Sequence, residues 1–375
     1  MYEKLLLINI YTKVDKSLGE TMKVLFVLSD NIYLTPYLDF YISLLNEINC
    51  EYKILYWDKN DNEPTKEDNH IRYEYRANDK VGKVKGYIYF RKFILAEIRR
   101  EHFDIIIPLH SILLFILYDV LKNKYKGCYV IDIRDYSYER LGIFRKIEDV
   151  LTKQSNINIV SSRGYFNFLP KGKYYVTHNI PRTNCDNYKQ FENPSGRPIN
   201  LSFIGLIRFM DQNKRIIDFF KSDSRFHLNF IGTHAEYLDT YCHNVNAKNV
   251  TLIGTFGATK TLEFYKESDA ILNLYGNHTP LLDYALSNKL YYAAILYKPI
   301  LVCEDTYMEE VSQRYRIGFT LRMKDDKERD QLYRYITELD RTAFIKNCDR
   351  FMKDSIEEDN KTRDELKARL LQIRE

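Results

Sequence analysis

From residue 23 onward, short apolar runs alternate with amphipathic segments, stop at a polar stretch near residue 182, and restart at residue 200. A buried apolar run followed by a helical period is the signature of a parallel βα unit. In the first half the pattern predicts strands at 24–28, 52–56, 104–108, 128–132, 157–160 and 174–177, with helices at 37–47, 88–101, 111–122 and 141–152. In the second half it predicts strands at 200–204, 227–231, 250–253, 270–274 and 299–303, with helices near 213–221, 235–243, 259–267, 287–296 and 307–314. Residues 182–199, polar and holding Pro194, Gly196 and Pro198, read as the linker between two domains. The fold class is therefore α/β, with one Rossmann-like, doubly wound domain at 22–181 and a second at 200–340. Charged helices follow at 341–375. Residues 1–21 stand apart as an N-terminal extension. Met22 just before the first strand is one reading of the true start, and an ordinary strand from Leu5 to Tyr11 is the other.

Composition removes several classes of function. A net charge of +4 over 375 residues is too small to argue for nucleic acid. Six widely spaced cysteines, without CxxC, predict reduced thiols rather than a disulfide frame or zinc site. His227, His234, His243 and His278 likewise lack metal-ligand spacing, so no metal site is expected. The longest apolar run, around Ser111–Val120, is about half of what a bilayer requires, and no signal peptide is present, which predicts a cytoplasmic chain. Lys83–Arg100 joins a basic cluster to Tyr, Phe, Ile and Leu. It reads either as a core-packed helix with a solvated basic face or as an N-domain surface for anionic lipid. Ser29-Asp30-Asn31-Ile32-Tyr33 stands where a dinucleotide-binding dehydrogenase needs a glycine-rich turn.

Two segments of the second half carry chemistry. In NLSFIGLIRFMDQNKRIIDFF (200–220) a buried strand ends at Gly205, and Arg208 and Lys214 lie at or just inside the next helix. Glycine allows close backbone approach, and cations at a helix N-terminus favour an anion such as a diphosphate. Further on, Ser287-Asn288-Lys289 opens a helix after a long polar loop. Ser287 or Asn288 suits the cap, but a lysine in the first turn opposes the helix dipole unless an anion is bound there. The bland alternative is a solvated surface lysine.

In this order and spacing the two segments resemble the C-terminal domain of GT-B-fold glycosyltransferases, family 4-like, of bacterial surface polysaccharide assembly. The intervening Phe230-Ile231-Gly232, Asn249–Gly254 and Glu263–Ala270 match the same rhythm, so the resemblance spans residues 200 to about 321. It implies two Rossmann-like domains facing a central cleft, with C-terminal helices returning to the first domain. It also implies a nucleotide-sugar donor, no essential metal or other cofactor, and transfer with retention. Gly205, Arg208, Lys214, Asn288 and Lys289 would surround the donor diphosphate, and Glu310 would lie near the donor. Tyr292 departs from the pattern, standing where many relatives place a glutamate that contacts ribose or sugar. The two-glutamate spacing of retaining members is absent as well.

The first half resembles the family more loosely. Pro108-Leu109-His110-Ser111 and Asp132-Ile133-Arg134-Asp135 follow predicted strands as the family's histidine and its DxRD segment do, and Thr177–Pro181 resembles the exit into the linker. His110 is thus a candidate for the surroundings of the transferred sugar, and Asp132, Arg134 and Asp135 for acceptor positioning or base. An internal ion-pair network is the structural alternative for that last group. The acceptor implied is a saccharide or a polyprenyl-linked saccharide, and the latter would bring the chain to the inner face of the membrane. Two other functions fit the same fold: a non-catalytic subunit that binds a sugar nucleotide, and a sugar-nucleotide epimerase.

Overall fold

The computed structural model describes residues 21–374, apart from 60, 62, 64–66, 78, 182, 190–193 and 195. The expectations for residues 1–20, and for part of the linker, lie outside these. The first half builds strands β1 (Lys23–Leu28), β2 (Glu51–Asp58), β3 (His70–Glu74), β4 (Ile105–Pro108), β5 (Val130–Ile133), β6 (Ile157–Val160) and β7 (Tyr175–Val176). Its helices are α1 (Leu38–Glu47), α2 (Lys80–Arg100), α3 (Ser111–Ile116), α4 (Tyr118–Asn123) and α5 (Gly142–Thr152). The second half builds β8 (Ile199–Ile204), β9 (Phe226–Ile231), β10 (Val250–Ile253), β11 (Ala270–Asn273), β12 (Ile300–Val302) and β13 (Gly318–Thr320). Its helices are α6 (Met210–Phe220), α7 (Asp239–Asn244), α8 (Thr261–Lys266), α9 (Pro280–Asp283), α10 (Asn288–Ile295), α11 (Tyr307–Tyr315), α12 (Asp326–Thr337) and α13 (Arg341–Arg374).

Every strand pairing is parallel. The first sheet runs β3-β2-β1-β4 and continues through the Ile106–Tyr129 bridge into β5-β6-β7. The second runs β10-β9-β8-β11-β12-β13. Helices on both faces bury the central strands, which is why IIIP, VIDI and AILN are buried along their whole length. In each sheet the strand order reverses beside the first strand of the domain, so the carboxyl ends of β1/β4 and β8/β11 open a crevice.

Where sequence and structure differ, local chemistry explains it. β3 and β13 were not foreseen: HIRYE is mixed and only partly buried, and GFT is too short to show a period. α2 begins eight residues ahead of the expected start, because Asp79 caps it by accepting from the Gly82 amide. The helix tolerates Gly86 because the Trp57 ring occupies the place of a Cβ, 2.5 Å away. The single helix expected over 111–122 is two helices joined at Leu117. α13, 34 residues and so about 50 Å long, spans both domains. Phe344, Cys348 and Phe351 pack in the C-terminal core, while Leu366 and Leu370 belong to the N-terminal core, where the helix lies against β6 and β7.

Candidate active site

The C-terminal wall of the cleft begins with two glycines. Gly205 (φ 121°) ends β8, and Gly232 (φ 141°) ends β9. A Cβ on Gly232 would stand 1.9 Å from the Gly205 carbonyl oxygen, so only glycine lets these strand ends touch. The chain then turns through Phe209, in the left-handed region at φ 58°, into α6. Asn213 donates to the Arg208 carbonyl at 2.7 Å and fixes that turn. The Arg208 side chain is exposed at the cleft lip and, among the described residues, has no carboxylate within ion-pair distance.

Facing Gly205 is the start of α10. The Ser287 hydroxyl accepts from the Lys289 amide at 3.3 Å and caps the helix. Asn288 is exposed at the opening, while Lys289 is 5% exposed. The Lys289 ammonium donates to the Tyr275 hydroxyl and lies 4.3 Å from the Phe203 ring centre and 4.7 Å from that of Tyr275. It is 4.0 Å from where a Cβ on Gly205 would be. Aromatic faces attract a cation, but no carboxylate among the described residues balances this one. Next along the wall, the Tyr292 ring stacks on Tyr265 at 4.6 Å and 14°. Burial raises the pKa of its phenol. Tyr292 and Tyr265 together form an aromatic surface on this wall.

The N-terminal wall is a polar network. Asp132, fully buried at the end of β5, pairs with Arg134 through Nε at 2.8 Å and Nη2 at 2.8 Å, and accepts from the Tyr41 hydroxyl at 2.6 Å. The Arg134 guanidinium lies 4.3 Å above the Tyr37 ring and donates to Asn179 at 3.3 Å. Ser161 and Tyr165 both donate to the Arg134 carbonyl, which anchors the loop. Asp135, the next residue, faces the cleft. Desolvation raises its pKa, while Arg208 from the opposite wall and then Arg134 act against that rise.

The cleft between the walls has a volume of about 790 Å³, within the ~300–1,000 Å³ of small-molecule sites. Of the residues singled out from sequence, Arg134, Asp135, Gly205, Arg208, Asn288, Lys289 and Tyr292 line it together. Four do not. Lys214 lies one turn into α6, beside Asp211 at 3.6 Å and over the Tyr241 ring at 5.5 Å. Glu310 pairs with Arg314 on the solvent side of α11. Asp132 lies behind Arg134. The His110 Nδ1 accepts from the Ser29 amide at 3.1 Å, joining the ends of β1 and β4, and burial pushes its pKa down to about 4. Sequence reasoning missed Tyr37, Asn179, Tyr265 and Tyr275, all in the lining. Tyr275 carried a usable signal, since it follows the carboxyl end of β11, where ligands of open sheets gather.

The domains are pinned below the cleft. The His178 amide donates to Asp359 of α13 at 2.6 Å, and its ring lies between the Tyr291 hydroxyl at 2.7 Å and Glu358 at 2.9 Å. Ser162 donates to the Tyr284 carbonyl at 2.6 Å.

No protein-family model and no curated protein matches the chain. Solved structures do. The chain is similar to sucrose-phosphate synthase from Thermosynechococcus elongatus, at TM-score 0.67 and 9% identity over 88% of this chain and 94% of that one. It is similar to a glycosyltransferase from Rickettsia africae ESF-5, at TM-score 0.63 and 13% identity over 95% and 98%. It is also similar to Anabaena HepE in complex with UDP, at TM-score 0.66 and 11% identity over 92% and 100%. At such identities the likeness is one of fold, and that fold is GT-B.

Proposed function

We propose that this GT-B chain is a glycosyltransferase that moves a sugar, with retention, from a nucleotide-sugar to a lipid-linked saccharide in surface polysaccharide assembly. The observation that carries the reading is Lys289: a buried ammonium with no balancing carboxylate among the described residues, in the first turn of a helix, facing the Gly205 turn. Burying an ion without a counter-charge costs several kcal/mol. A diphosphate lying across Gly205, met by Lys289, the first amides of α10 and Arg208 from the lip, removes that cost. As the glycosidic bond to the donor breaks, negative charge builds on the leaving diphosphate, and Lys289 neutralises it where water is excluded. No metal enters this proposal.

Asp135 and Arg134 face the same space from the opposite wall and are placed to hold acceptor hydroxyls. HepE structures carrying UDP and UDP-glucose support a uridine nucleotide as the first donor to try. A lipid-linked acceptor would bring the working chain to the inner face of a membrane. No helix among the described residues is long and apolar enough to cross one.

The test is a ³¹P NMR assay with UDP-, GDP- and CMP-sugars, each with and without EDTA and with a membrane-lipid extract as acceptor. Release of nucleoside diphosphate, insensitive to EDTA, is expected from either the UDP- or the GDP-sugars, and the CMP-sugars, whose leaving group is a monophosphate, serve as the arm expected to stay unused. Binding without release would favour the non-catalytic subunit, for which Tyr292 in place of glutamate is the motive. Conversion of donor alone would favour an epimerase.

A further inference from the structure

A diphosphate held at Lys289 leaves two directions for the rest of a donor. One crosses the cleft to Arg134 and Asp135. The other follows α10 by one turn to Tyr292, on the same face of the helix as Lys289, where its ring stacks on Tyr265 of α8. Phe256 and Thr261 continue the lining on that side. Aromatic faces suit the flat base of a nucleoside. The nucleoside half therefore runs toward the tyrosine pair, and the transferred sugar toward the opposite wall.

The tyrosine side has no carboxylate. Among the described residues that line the cleft Asp135 is the one acid, and it belongs to the other wall. The nearby acids of the C-terminal domain are engaged elsewhere. Glu263 and Glu267, in and just after α8, line a separate cavity with Arg197 and Lys298. Glu304 pairs with Arg322 at 2.6 Å, and Glu309 accepts from the Asp305 amide at 2.8 Å. A carboxylate is the usual partner of the ribose 2′-hydroxyl, and its two oxygens can accept from both hydroxyls of the ring.

In its place this wall offers Asn273. Along β11, Ala270, Leu272 and Leu274 belong to one core cluster, and Ile271 to the other, with Tyr265 and Leu290. Strand alternation thus directs Asn273 to the face covered by α8 and α10. It is 6% exposed and lines the cleft, and its Oδ1 has no hydrogen-bond partner among the described residues. A buried amide oxygen without a donor is costly. One hydroxyl satisfies it, and 2′-deoxyribose still supplies one, at C3′.

We propose that the donor site does not read the 2′-hydroxyl, so that sugars carried on 2′-deoxyribonucleoside diphosphates are accepted alongside those on ribonucleoside diphosphates. The inference rests on the transferase reading, and within it on a diphosphate at Lys289. Removing the 2′-hydroxyl strands no charged group of this wall, whereas a site that met it with a carboxylate would lose on the order of ten- to a hundredfold in affinity.

The test is calorimetric titration of the full-length protein with UDP against 2′-deoxy-UDP, and with GDP against 2′-deoxy-GDP. Each pair differs by the one hydroxyl. For the base that binds, the two dissociation constants should agree within about threefold. Tyr292→Glu places a carboxylate beside the nucleoside and should favour the ribonucleotide over its deoxy partner by about tenfold. The quantity read is a ratio within one preparation, so a lower folded fraction or a weaker overall affinity does not disturb it. A deoxy partner tenfold weaker for the wild type would overturn the inference alone and leave the transferase reading standing. A ratio that Tyr292→Glu does not move would place the ribose elsewhere and overturn it as well. Failure of all four nucleotides to bind would strike the transferase reading, and this inference with it.

Discussion

The two walls of the cleft treat charge in opposite ways. On the N-terminal wall the protein answers its own charges: Asp132 is held by Arg134 and Tyr41, and Arg134 lies on Tyr37 and reaches Asn179. On the C-terminal wall Lys289 is buried and, among the described residues, meets a hydroxyl and two ring faces but no carboxylate, while Arg208 stands open at the lip. A network closed on itself needs no ligand, and truncating one member leaves its partner stranded. A buried cation without a counter-charge is costly until an anion arrives. The first arrangement shapes the cleft, and the second is the one that a ligand anion would complete under the proposed function.

The comparison breaks most visibly at Lys289. Lys289→Ala should lower turnover by on the order of 10²–10³-fold, the loss typical of removing one group that stabilises transition-state charge. It should leave the melting temperature of the unliganded protein unchanged or raised, since an uncompensated ion leaves the interior. A variant that melts markedly lower would show that the ammonium is already satisfied. Asp132→Asn should do the reverse. It should cost about 3–5 kcal/mol of stability, read from the denaturant midpoint, because Arg134 is left as a buried charge. Nucleotide affinity should persist in the folded fraction, and its loss without destabilisation would transfer Asp132 to the ligand side. Arg208→Ala sharpens the contrast on a smaller scale. An exposed cation should be worth about tenfold in donor affinity, weakening as salt rises, with the melting temperature unmoved.

Much of this contrast was legible in the sequence, and unevenly so. The strand–Gly205–Arg208 and Ser287-Asn288-Lys289 segments point to residues that the fold brings to one wall of the cleft, because their signal is local: a glycine at a strand end, and a lysine opposed to its helix dipole. The other wall was harder, since Asp132 and Asp135 look alike in sequence. The alternation of side chains along and beyond β5 buries one and opens the other, and only the neighbouring Tyr37 and Tyr41 decide what each meets. Lys214 misled because it shares a helix with the Gly205 turn yet lies on a turn directed at Tyr241. Tyr265 and Tyr292 come from separate helices, and nothing in either segment announces that they stack.

One group tests whether an unsatisfied charge always means a ligand. Glu148 on α5 is fully buried, and neither carboxyl oxygen has a hydrogen-bond partner among the described residues, yet it does not line the cleft. Burial, and then the nearby Glu139, push its pKa up to about 8. A carboxyl can escape its difficulty by keeping a proton, whereas the proposed function has an anion relieve the Lys289 site. The sign of the pH dependence follows. Between its ordinary value of 4.5 and about 8 the folded chain holds a proton that the unfolded chain releases. Its contribution to stability is therefore complete below that window and lost progressively as pH rises through it. Glu148→Gln mimics the protonated form and removes the titration. Its melting temperature should lie close to the wild type near pH 5 and exceed it near pH 8, by roughly 3–4 kcal/mol once converted to stability. His110, with its pKa lowered to about 4, loses stability in the opposite direction as pH falls, but it does so equally in both proteins and cancels from the difference. A gap between variant and wild type that stays constant from pH 5 to pH 8 would mean that Glu148 is ionised throughout. The N-terminal domain would then hold an open charge of its own, and the division between the two walls would fail.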